Sequence, residues 1–249
     1  MSPIAANLQA IRRRISEALQ GDSRAVTLVA VAKGQPAAAI EEAFGAGVRD
    51  FGESYVQEAL AKIAALGGLK ARWHFIGRVQ ANKARDIAAA FDWVHGVDRL
   101  RAAQSLSKAR PGERGALDVC IQVNISGEAT KGGVAPGEAL GLAREVAALP
   151  RLKLRGLMGM ASFSTDAALQ RRQFRSLADA HRGIVAAGIP MDTLSMGMSD
   201  DFEAALREGA TMIRIGTAVF GRRKGSDPNV VKRRDGNFDP AHELGSDPK

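Results

Sequence analysis

A single cysteine, Cys120, stands among 249 residues, so no internal disulfide can form, and a reducing compartment is the simplest home for the chain. It lies inside the apolar run Leu117 to Val123 and reads as a small core residue. Histidine is scarce too. His74, His95, His181 and His242 are dispersed, no spacing of His, Cys or acidic residues resembles a zinc or iron site, and no metal is expected. No run reaches the ~18 apolar residues of a membrane span. The first residues, with Arg12-Arg13-Arg14 in an amphipathic pattern, lack the apolar segment of a secretory leader, so the expected location is the cytoplasm. Neither Gly-x-Gly-x-x-Gly after the first strand nor Gly-x-x-x-x-Gly-Lys occurs, which removes the common dinucleotide and nucleoside-triphosphate cradles. Aromatics are only 5% of the chain and do not interleave with the basic residues, which argues against a nucleic-acid groove. The excess of 35 Lys and Arg over 27 Asp and Glu still favours anionic ligands such as phosphates.

What is present is alternation. Short β-rich runs alternate with longer helical patterns, the signature of parallel βα units. Eight strands are predicted, at 26–32, 48–51, 73–76, 93–95, 117–124, 154–158, 193–196 and 212–215. Helical segments fall between them, such as 36–44, opened by Pro36, and 54–66, closed by Gly67-Gly68. An extra helix over 3–19 precedes the first strand. The expected fold class is α/β, a (β/α)₈ TIM barrel with an extra N-terminal helix, and its length suits one domain over 1–221. From Arg222 the chain is polar, rich in Gly, Pro and Asp, and carries two basic triplets; a flexible tail is expected over 222–249.

In such a barrel the βα loops at the strand ends build the site. Lys33 ends the first apolar run and is followed at once by Gly34. A lysine there either snorkels to water or, desolvated, becomes a nucleophilic amine. After strands seven and eight come Ser195-Met196-Gly197-Met198-Ser199 and Arg214-Ile215-Gly216-Thr217. Ser195, Gly197, Gly216 and Thr217 have the parts of a phosphate cup, while ordinary turn chemistry explains Ser195 and Thr217 equally well. Asp200 with Glu203 fits a helix N-cap pair. Arg214 sits within an otherwise apolar strand and needs a partner, with Glu53 as one candidate acceptor. His74 alternates with Trp73 and Phe75 and faces the interior, near a ligand or as a hydrogen-bonded core residue.

Six segments, in order, carry a resemblance: Leu28 to Lys33, Phe51 to Glu58, Trp73 to Gly77 with Gln80 and Asn82-Lys83, Val123 to Glu128, Leu194 to Ser199, and Ile213 to Gly221. From about residue 5 to 221 the chain resembles the pyridoxal phosphate homeostasis protein family. The resemblance implies a barrel like the N-terminal domain of alanine racemase, with pyridoxal 5′-phosphate held as a Schiff base on Lys33. It also implies phosphate at Ser195, Gly216 and Thr217, and Arg214 at the pyridine nitrogen. Asn124 is open between contact with the cofactor's O3′ region and capping its own loop. The candidate cofactor-binding set is Lys33, Ser54, His74, Asn124, Ser195, Met196, Gly197, Arg214, Gly216 and Thr217. Ser54 replaces the usual asparagine of the second motif, which shortens or removes that amide's contact. Gly159-Met160-Ala161-Ser162-Phe163 stands where the family usually continues toward an Ile-Pro pair.

An arginine opposite the ring nitrogen disfavours a pyridinium and weakens the ring as an electron sink. The expectation is therefore a protein without strong catalytic activity that buffers and delivers the cofactor, in transient contact with apo-enzymes. The alternative is a cofactor-dependent amino-acid racemase. Alanine racemases take a second base from a tyrosine of an added β-domain, whereas the only tyrosine here is Tyr55. A closed barrel leaves no strand edge that demands pairing, and a monomer is expected.

Overall fold

The computed structural model of the protein describes residues 2–221, so the expected tail over 222–249 lies outside the described residues. Strands β1 (Thr27–Val31), β2 (Asp50–Glu53), β3 (Arg72–Phe75), β4 (Trp93–Val97), β5 (Leu117–Val123), β6 (Leu152–Gly159), β7 (Thr193–Ser195) and β8 (Met212–Ile215) pair in sequence order. All are parallel, and β8 returns to β1 to close the barrel. The largest difference from the sequence reading is β2, which is displaced by two residues at both ends. Val48 is apolar and buried, but its N–H donates to Ala43 O and closes the preceding helix, so it belongs to that turn.

Helices α1 (Pro3–Leu19), α2 (Ala37–Gly45), α3 (Val56–Ala65), α4 (Ala84–Ala90), α5 (Leu100–Ala109), α6 (Ala139–Ala147), α7 (Ala167–Ala186), α8 (Phe202–Arg207) and α9 (Thr217–Phe220) surround the sheet. Ser2 caps α1 by accepting from Ala5 N, and Pro3 supplies the preset first turn. Its Ile4, Leu8 and Ile11 stripe is buried against α8, α9 and α2, where the short α8 and α9 leave the helical layer thin. Among the described residues, no helix is long and apolar enough to cross a membrane.

The two-residue period of the strands sorts their side chains. Phe51, Trp73, Phe75, Val94, Leu194 and Ile213 join the large core between sheet and helices. Val29, Trp93, Cys120, Met158 and Met212 form a separate cluster that fills the barrel. Between these interior apolar groups stand buried polar side chains on the same faces: Asp50, His74, His95, Gln122, Ser195 and Arg214. At the carboxyl ends of β2, β3 and β4 the backbones touch. A Cβ on Gly77 would fall on Ser54 O, and one on Gly96 would fall on Gly77 O, so only glycine permits this stacking.

Candidate functional site

Lys33 follows β1 in the turn at the carboxyl end of the barrel and is half-buried. The backbone on both sides of it is tied to α3. Lys62 Nζ donates to Ala32 O at 2.7 Å, to Glu53 Oε1 at 2.7 Å and to Glu58 Oε1 at 2.5 Å. Gly34 N donates to the same Glu58 oxygen at 2.6 Å. Lys62 thereby uses all three ammonium protons and serves as a clamp rather than a second nucleophile. Glu53 is fully buried and its Oε2 has no hydrogen-bond partner. Burial pushes its carboxyl up, against the pull of Lys62, and the Lys33 charge acts in the same sense as Lys62. Glu53 therefore does not pair with Arg214, because it points under α3 and is claimed by Lys62.

Arg214 lies below, on the floor of the mouth. It pairs in register with Val29, four residues before Lys33 on β1, and its side chain is buried. Its Nη1 donates to Ser195 Oγ at 2.7 Å and its Nη2 to Gly159 O at 3.0 Å. Burial lowers its pKa to about 10, opposed by Asp201, so it remains a cation at neutral pH. Ser195 Oγ also lies 2.8 Å from His95 Nδ1, and His95 Nε2 lies 3.0 Å from His74 Nδ1. His74 Nε2 reaches Asp50 Oδ1 at 2.9 Å. Burial drives the His95 imidazole well toward its neutral form, helped by His74 and Arg214. The same burial pushes the Cys120 thiol up to about 12, as suits an inert core residue.

The contacts show what several of the candidate residues touch. His74 has both ring nitrogens engaged inside the barrel and is the hydrogen-bonded core residue, away from the mouth. The Ser195 hydroxyl is fully buried between Arg214 and His95, so it supports the arginine instead of opening toward a phosphate. Asn124 is the loop cap: its Nδ2 donates to Glu128 O and Lys131 O, and its Oδ1 accepts from Ser126 Oγ and Gly127 N. Met196 is buried, its N–H on Met212 O. Gly197 has φ +94°, and a Cβ there would sit 2.8 Å from Ala205 Cβ, so it is glycine because α8 packs on it. Asp200 and Glu203 are not the cap of α8; Asp201 takes the N-cap position and accepts from Met198 N, while Glu203 pairs with Arg14.

Lys33, Ser54, Gly216 and Thr217 all follow the carboxyl ends of strands, Lys33 after β1, Ser54 after β2, and Gly216 and Thr217 after β8. The Gly216 position packs against Val31 O, which places the start of α9 beside the end of β1. Ser199, the last residue of the seventh-strand motif, accepts from Ala218 N beside the start of α9 and had no sequence signal of its own. Beside it, a cavity of about 230 Å³ is lined by Lys131, Met160, Ala161, Phe163 and Met198 among others. A larger groove of about 440 Å³ opens at the opposite end of the barrel, around Arg155 and Asp192, far from Lys33, so volume alone does not mark the site. Among the described residues no group of three or more His, Cys, Asp or Glu is arranged for a metal ion.

The sequence profile of the alanine racemase N-terminal domain matches residues 1–224. Pyridoxal phosphate homeostasis protein of Pseudomonas aeruginosa is 52% identical over 226 residues, covering 90% of this chain and 97% of that protein. The chain belongs to the pyridoxal phosphate homeostasis protein family. The family member of Escherichia coli is 48% identical over 229 residues, covering 90% of this chain and 98% of its own. PipY of Synechococcus elongatus, solved with pyridoxal phosphate bound, is 36% identical and superimposes with a TM-score of 0.77 over 88% of this chain and all of PipY. The family barrel and the closed eight-stranded sheet described above agree.

Proposed function

We propose that this chain binds pyridoxal 5′-phosphate reversibly as a Schiff base on Lys33, through one cofactor-binding barrel over residues 1–221, and that it buffers and delivers the cofactor rather than using it for catalysis. The donor set fits the group. An amine stands at the rim, a guanidinium lies on the floor beneath it, and Ser199, Gly216 and Thr217 offer hydroxyls and backbone at the loops where barrels take phosphate. Homeostasis as a role rests on the family; PipY, similar to this chain, has been solved with this cofactor.

One observation carries the non-catalytic reading: the buried Arg214, held as a cation by Ser195 and Gly159 O. Burial lowers its pKa only to about 10, so it stays a cation at pH 7. When bound, the cofactor supplies an aldehyde and an electron-accepting ring. A fixed cation opposite the ring nitrogen resists protonation there and so limits carbanion chemistry. Tyr55, the one tyrosine, is 62% exposed at the N-cap of α3 and is not enclosed with Lys33 as a second base would be. The reading includes a monomer in the cytoplasm that meets apo-enzymes transiently.

Spectral titration with the cofactor is the test. Wild type should develop the visible band of a lysine-bound aldehyde, and borohydride should trap an adduct on Lys33, both lost in Lys33→Ala. A trapped adduct on Lys131 instead, or no band at all, overturns the assignment. Deuterium exchange at Cα of alanine or serine by the loaded protein would favour the racemase reading.

A further inference from the structure

We propose that Ser195, His95, His74 and Asp50 are positioning residues for Arg214, joined to it in a hydrogen-bonded file with one fixed proton order that runs through the barrel. The order follows from the chemistry of the ends. Arg214 can only donate, so Ser195 Oγ accepts its Nη1 proton and has a single proton left to give. That proton goes to His95 Nδ1. His95 therefore carries its own proton on Nε2 and donates to His74 Nδ1. His74 in turn carries its proton on Nε2 and donates to Asp50 Oδ1. The opposite order would leave the Ser195 proton with no acceptor among the described residues.

Asp50 ends the file as a carboxylate. Arg72 Nε and Nη2 donate to its two oxygens at 2.7 Å each, from the barrel end opposite Lys33, where Arg72 is exposed. Burial pushes the Asp50 carboxyl up, but the bonds from His74 and Arg72 outweigh it and hold it below its ordinary value. Trp93 stacks on His74, with centroids 5.5 Å apart and planes 15° apart, and Trp93, Cys120, Met158 and Met212 form the interior apolar cluster beside the file. In such surroundings a misplaced proton has no water to correct it. An acidic group at one mouth thus sets the presentation of a guanidinium at the other. Its effect on bound cofactor rests on the reading of Arg214 as the ring's partner; the proton order does not.

Imidazole ¹⁵N spectra of the full chain without added ligand test the order directly, and four histidines keep them simple. His74 and His95 should each show a bare Nδ1 and a protonated Nε2 at neutral pH. Asp50→Asn should alter the His74 pattern and carry the change on to His95, and Ser195→Ala should remove the donor from His95 Nδ1. A His95 proton on Nδ1, an imidazolium at either residue, or a His95 pattern indifferent to both variants overturns the proposal. Wild type alone decides the order if a variant fails to fold. With pyridoxal 5′-phosphate added, the visible band of Asp50→Asn should shift from that of wild type. An unchanged band beside changed imidazoles overturns the link to the ligand, whereas no band in wild type counts against Lys33 as the cofactor's anchor.

Discussion

Replacing Lys62 by methionine isolates the clamp around Lys33, because methionine keeps most of the apolar stem and removes only the ammonium. Lys62 is about 10% exposed and Glu53 is 0% exposed, so the variant strands a buried carboxylate whose other oxygen already has no hydrogen-bond partner. Breaking such a pair costs roughly 3–5 kcal/mol, on the order of 10 °C in Tm for a domain this size. Glu58 is 30% exposed, so the loss of its ion pair adds only about 0.5 kcal/mol. The sign of the pH effect follows from Glu53, whose folded pKa is already raised by burial. Without Lys62 it rises further, so the penalty is full above that folded pKa and shrinks as pH falls and the carboxyl takes up a proton. Urea unfolding of Lys62→Met at pH 7.5 and 5 should show this narrowing. The double variant Lys62→Met/Glu53→Gln should recover much of the loss at pH 7.5. A single-variant cost under about 1 kcal/mol, or a double variant no more stable than the single, would refute the claim that the pair is buried and interdependent.

Two further outcomes follow from the interior and the mouth. His95 is held neutral in the fold, so the folded state takes up its proton less readily than the unfolded chain. Its contribution is complete above the unfolded pKa near 6.5 and declines as pH falls, by up to about 1.4 kcal/mol per pH unit. His95→Gln can keep both hydrogen bonds without a titrating ring, so the stability advantage of wild type over this variant should narrow below pH 6.5; a constant difference would contradict it. Gly96→Ala would press a methyl group on Gly77 O, a backbone atom that no rotamer change can move. Its cost should exceed the ~1–3 kcal/mol typical of overpacking, measured by the same unfolding assay, and a neutral result would show that the strand ends can separate.

The barrel is legible because its strands punctuate the chain at regular intervals, and period-two alternation places His74 and Arg214 on inward faces. Partners were harder to read. Asp50, His95 and Ser195 come from β2, β4 and β7, and only closure of the sheet brings them into one line. Polar residues at inward positions of otherwise apolar strands were the available signal. Asn124 and Ser195 each keep two readings in the sequence because an amide or hydroxyl at a strand end looks the same whether it meets a ligand or its own neighbours. The Lys62 clamp had a local trace, the Glu58–Lys62 spacing of four on one helix, but its hold on Ala32 O depends on how α3 lies over β1.

The stacked glycines make the two halves of the mouth mechanically unequal. On the side of β2, β3 and β4, successive loops pack main chain against main chain at Ser54, Gly77 and Gly96. Around Lys131, Phe163 and Met198 the wall consists of side chains, and Phe163 is 94% exposed. Exposed side chains change rotamer in picoseconds to nanoseconds, while closely packed backbone moves with its sheet. The loops that follow β5, β6 and β7 therefore form the more yielding side of the mouth, and the loops after β2, β3 and β4 the stiffer one.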